Sequence, residues 1–135
     1  MTTTVSGRRR SETLPWALRI VGAVLLAVMG WIHLDLWLDG YRTIDLIGPA
    51  FLLNAIAGFG LAALLLAMPR PLVGWVAVLG ALTAAGTLAG LLLSTTVGLF
   101  GFVETTAAGL WWESFCVEVA AVVVLSALAL VARRR

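Results

Sequence analysis

Charge is the scarcest property of this sequence. Only 12% of its 135 residues are charged, about half the roughly 25% of a soluble domain. Hydrophobic residues make up 61%, and the mean hydropathy is +1.05. A chain this short has too little interior to hide so much apolar surface from water. That excludes a soluble globular protein and points to a membrane domain. Cysteine is nearly missing too: the single Cys116 excludes an intrachain disulfide and any cysteine-paired metal site. His33 is the only histidine, so a haem held by two histidines is excluded. Lysine is absent, and all nine basic residues are arginine, a side chain that suits anionic lipid headgroups. No Ser-His-Asp order, glycine-rich phosphate loop, zinc signature or nucleic-acid footprint is present. An enzyme, a metal site, a cofactor and a nucleic-acid partner are therefore not expected.

What remains is a set of long apolar runs with sparse polar punctuation. Residues 1–13 are polar and carry Arg8-Arg9-Arg10; their composition predicts a disordered tail. The following apolar run is longer than a signal peptide core and lacks a small-residue cleavage site. A membrane helix needs about 20 residues, and four spans are predicted, over about residues 14–38, 47–68, 72–93 and 115–132. Pro15 suits a helix N-terminus, where its missing N–H costs nothing. Met68-Pro69-Arg70-Pro71 ends the second span, since proline cannot continue a helix. The expected fold is an all-α, four-helix transmembrane bundle in one domain, residues 14–135. With both termini cytoplasmic, every arginine except Arg42 lies inside, which is the arrangement that positive charge favours. Asp39-Gly40 supplies a tight turn, with Arg42 paired to Asp39 or Asp45. The connection over about residues 94–114 reads as an apolar segment in the outer interface, or alternatively as a re-entrant segment or lid.

Three polar residues fall inside the spans. At about 100° per residue, His33 shares a face with Gly22, Leu26, Met29 and Gly30. Asn54 shares one with Ala50, Ala57, Gly58 and Leu61, and Glu118 one with Ser114, Ala121 and Leu125. Small residues mark helix contacts in membranes because they let backbones approach. Gly86 and Gly90 form a GxxxG pair in the third span, which predicts a close helix contact there. His33, Asn54 and Glu118 each lie about five to seven residues inside the outer helix end, roughly 8–10 Å at ~1.5 Å per residue. They are expected to form one outer-leaflet cluster, with His33 pairing Glu118 and Asn54 between them. Three uses of that cluster stay open: interhelical structural glue, a proton- or ligand-responsive pocket, and a metal site helped by Asp35. Asp35 lies two residues from His33, hence on another face of a straight helix.

The stretch His33-Leu34-Asp35-Leu36-Trp37, Gly40-Tyr41-Arg42, Ile47-Gly48-Pro49 and Phe51-Leu52-Leu53-Asn54 resembles a pattern in small, uncharacterised four-span membrane proteins of actinobacteria. The run Gly90–Ser94 followed by Gly98–Phe102 is similar to theirs. The resemblance implies a multi-pass protein of a bacterial cytoplasmic membrane and brings no activity. A second likeness, to the DoxX-like four-helix membrane family, rests on span count and glycine placement and carries no residue across. The expected function is a non-enzymatic accessory or assembly component, in contact with membrane lipids and with a membrane-protein partner or a second copy. The alternative is a small transporter or sensor using the His33/Asn54/Glu118 pocket. A redox or quinone-linked subunit has only the tryptophan and histidine content behind it.

Overall fold

A computed structural model describes residues 4–134. Four helices run in order: α1 (Thr4–Leu38), α2 (Ile47–Ala67), α3 (Arg70–Thr96) and α4 (Trp111–Arg133). No strand occurs among the described residues. All four helices are long and apolar enough to cross a membrane. Antiparallel succession puts the starts of α1 and α3 and the ends of α2 and α4 at one end of the bundle, here the terminal end. The α1–α2 turn and the α3–α4 loop form the distal end.

The boundaries depart from expectation mainly in α1. The helix begins at Thr4, so from that residue on the disordered tail expected over residues 1–13 is not found, and Pro15 lies inside the helix. Arginine and glutamate are good helix formers, so loss of apolar character at this point ends the span without ending the helix. At the other junctions the chemistry acts as expected. Met68 is extended, at ψ 143°, before Pro69, and Gly40 turns the chain at φ +134°.

Packing is uneven around the ring. α1 packs most extensively on α2 and α3 on α4, α1 also packs on α4, and α2 and α3 touch least of the neighbouring pairs. A close backbone approach joins α1 to α2. A Cβ on Gly58 would lie 2.7 Å from the Leu26 carbonyl oxygen and 2.8 Å from the Gly30 Cα. In α4, Leu125 fills the space left by two other glycines: a Cβ on Gly22 or Gly80 would come within 2.8 or 2.9 Å of its methyl groups. Leu26, Leu65, Leu125 and Leu128 are buried between the helices, whereas Leu53, Ile56, Leu79, Leu82 and Val123 face outward. Among lipid chains such outward leucines cost nothing, so shape complementarity, more than apolar burial, holds the bundle together.

The close contact expected at Gly86 and Gly90 is not found. A Cβ on Gly86 would meet nothing within 4 Å, and one on Gly90 only Leu99, at 3.8 Å. The reason lies in the neighbours. The α1–α2 crossing sets glycine against glycine, whereas α3 faces α2 across a gap.

Candidate functional site: a cavity between the second and third helices

That gap is a cavity of about 550 Å³ in the distal half of the bundle, within the usual ~300–1,000 Å³ of ligand pockets. Its lining includes His33, Asn54, Gly86, Gly90 and Glu118. Apolar walls come from residues such as Ile47, Phe51, Leu91 and Leu110. The outward-facing Leu53 and Leu82 also line it, so it opens sideways along the α2–α3 seam.

His33, Asn54 and Glu118 share this cavity, but no hydrogen bond joins any two of them among the described residues. The expected His33–Glu118 pairing is therefore not made directly, because each side chain finds a nearer partner. His33 Nδ1–H donates to the Met29 carbonyl one turn back, at 2.9 Å, which leaves Nε2 as the acceptor nitrogen of the neutral ring. Asn54 Nδ2 donates to Thr87 Oγ1, tying α2 to α3 across the seam. Thr87 Oγ1 in turn donates to the Thr83 carbonyl, at 2.7 Å. Glu118 is fully buried, and its Oε1 accepts from Ser114 Oγ at 2.7 Å. Glu118 Oε2 and Asn54 Oδ1 are both buried without a hydrogen-bond partner. A buried polar atom left so costs about 1–3 kcal/mol.

The distal end of the cavity is roofed. After α3, Val97 and Gly98 both donate to the Leu93 carbonyl, at 3.0 and 2.8 Å. Gly98 takes φ +86° there, so the chain folds back over the helix end. Leu99 and Phe102 then exchange both backbone hydrogen bonds at 2.8 Å around Phe100 and Gly101, both at positive φ, the geometry of a tight hairpin turn. Glu104 N donates to the Ser94 carbonyl at 2.9 Å, pinning the loop to the end of α3. Tyr41 OH donates to Glu104 Oε2 at 2.6 Å, which clasps the α1–α2 turn to the loop. The Tyr41 ring stacks on Phe51 at 4.9 Å and meets the edge of Phe102 at 5.8 Å, while Phe51 also packs on His33 at 4.9 Å. Trp111 Nε1 donates to Thr95 Oγ1 at 3.0 Å, fixing the start of α4 against α3. The Tyr41 phenol is raised well above its ordinary range, first by burial and then by the Glu104 carboxylate. Val97, Phe100 and Val103 point outward from this roof, as an interfacial loop requires.

The sequence allows a lid over residues 94–114 but does not single out Tyr41, Glu104 or Thr87, since none carries a spacing that announces its partner. Arg42 lies over the Trp37 ring, 6.0 Å from its centroid, instead of pairing with Asp39 or Asp45. No group of three or more His, Cys, Asp and Glu side chains able to hold a metal occurs among the described residues. Comparison with protein-family models, characterised proteins and solved structures finds no match, so the reading of this site rests on its geometry.

Proposed function

We propose that this chain is a membrane-embedded binding protein, a sensor or carrier, for a small amphipathic molecule whose polar end donates hydrogen bonds. One observation carries the reading: Glu118 is fully buried on the wall of a large cavity, with Oε2 left unpaired. Asn54 Oδ1, on the facing helix, is also without a partner, and His33 Nε2 adds a third acceptor. Acceptors gathered beside apolar walls favour an amine, hydroxyl or amide on a hydrophobic body. The opening along the α2–α3 seam and the roof over the distal end favour entry from the lipid side. Ionisable groups within a span are costly and tend to be functional. Nothing in this cavity favours the accessory or assembly role over a binding role.

The membrane orientation belongs to this proposal. Arginine distribution supports cytoplasmic termini, which places the cavity in the outer leaflet. The bacterial cytoplasmic membrane is the location that the sequence resemblance suggests.

The test is thermal unfolding of the full chain in detergent with long-chain primary amines, alcohols and carboxylates of one chain length. Amines or alcohols are expected to raise the Tm, by the equivalent of about 2.7 kcal/mol at a hundredfold excess over Kd. Carboxylates are not. The gain should vanish in Glu118→Leu. Equal shifts from all three headgroups, or a full gain retained in Glu118→Leu, would overturn the reading.

A further inference from the structure

We propose that a second cavity, at the terminal end of the bundle, binds the phosphate group of an anionic phospholipid. This cavity is about 570 Å³ in volume and is bounded by α1, α3 and α4. Arg19, Arg70 and Arg133 line it, one from each helix, and among the described residues no aspartate or glutamate does. Arginine presents a planar fork of N–H donors that matches phosphate oxygens.

Arg19 is the built part of the site. Its side chain is only 5% exposed. Nε donates to the Leu65 carbonyl at 2.9 Å. Nη2 donates to the carbonyls of Leu66 at 3.0 Å and Met68 at 2.8 Å. Those bonds hold the guanidinium rigidly against the end of α2. Nη1 makes no hydrogen bond with a described residue, so two N–H donors of a fixed cation remain on a residue that lines the cavity. The Trp16 ring, which also lines the cavity, packs on the guanidinium with its centroid 4.4 Å from Arg19 Cζ. Pro71, Val73 and Gly74 at the start of α3 also line the cavity.

The level of the site suits a lipid. Trp16 and Trp75 flank it and are 45% and 68% exposed, and exposed tryptophans sit at the headgroup level of a bilayer. Val78 and Leu128 make the deeper wall apolar. A headgroup phosphate would meet the arginines while its acyl chains follow that wall outward. Basic pockets between membrane helices are a known form of lipid recognition.

The experiment is native mass spectrometry of the full chain, exchanged from detergent into equimolar phosphatidylglycerol and phosphatidylcholine. The wild type is expected to retain phosphatidylglycerol preferentially. Arg70→Gln with Arg133→Gln should cut that preference by about fivefold for each arginine removed, the scale of one charge at an anionic surface. Arg42→Gln removes the same charge from the distal end and should leave the preference intact. Helix content and Tm of each variant are recorded alongside. A double variant that unfolds is replaced by Arg133→Gln alone, with the same expectation for one charge. Equal retention of the two lipids, or an equal loss in Arg42→Gln, would overturn the proposal. Full displacement of the lipid by inorganic phosphate would overturn the lipid assignment and leave a site for the free anion.

Discussion

At the scale of single residues, Glu118 separates a structural role from a binding one. A carboxyl that holds helices together should be missed when removed. One bonded only to Ser114 of its own helix, with its other oxygen unpaired, should not. Glu118→Leu is therefore expected to leave stability unchanged or to raise it by about 1 kcal/mol, because the buried unpaired oxygen is lost with the carboxyl group. A loss above about 2 kcal/mol in detergent unfolding, within the range for breaking a buried network, would assign Glu118 to structural glue. Tyr41 offers a second test, since it is the only tyrosine and phenolate absorbance reports it alone. Its folded phenol is held above the ordinary value, first by burial and then by Glu104. The sign follows: the stability it contributes is fully present below pH ~10 and is lost as pH rises through the folded value. Glu104→Gln should move the titration back only part of the way, because burial is the larger cause. A return to the ordinary value would make the carboxylate the main cause. Helical periodicity alone placed His33, Asn54 and Glu118 on inward faces. It could not show that Met29, Thr87 and Ser114 would be their partners, because hydrogen-bond choice depends on distances that spacing does not contain.

At the scale of elements, the glycines divide by what they face. A GxxxG motif is a statement about one helix, whereas close packing is a property of two. Gly58 meets the α1 backbone, so Gly58→Val should destabilise the bundle by about 1–3 kcal/mol through overpacking. Gly86→Val adds atoms where nothing lies within 4 Å and should cost far less. Unfolding by a denaturing detergent compares the two, and an equal or greater loss in Gly86→Val would mean that α3 closes on α2 or on a second copy. The α3–α4 connection follows the same logic. Its glycine-rich, apolar composition allowed either an interfacial segment or a lid. In the structure Phe102 and Glu104 line the cavity, while Phe100 and Val103 face outward.

At the scale of the whole molecule, orientation is open to direct measurement. In a Cys116→Ser background, Thr106→Cys should react with an impermeant thiol reagent in intact cells. Arg134→Cys should react only after permeabilisation. The reverse pattern would invert the topology and put the proposed ligand cavity in the inner leaflet. The span count was legible in the sequence because crossing a membrane demands only length and apolarity, both additive along the chain. The ends of α2 were legible for a similar reason: turn and proline chemistry acts locally. The start of α1 was not, since apolarity bounds a span but does not end a helix. The α2–α3 gap, the Tyr41–Glu104 clasp and the capping of α2 by Arg19 were decided only by the tertiary structure. Each joins residues far apart in sequence, and whether they meet depends on how four helices share their small faces.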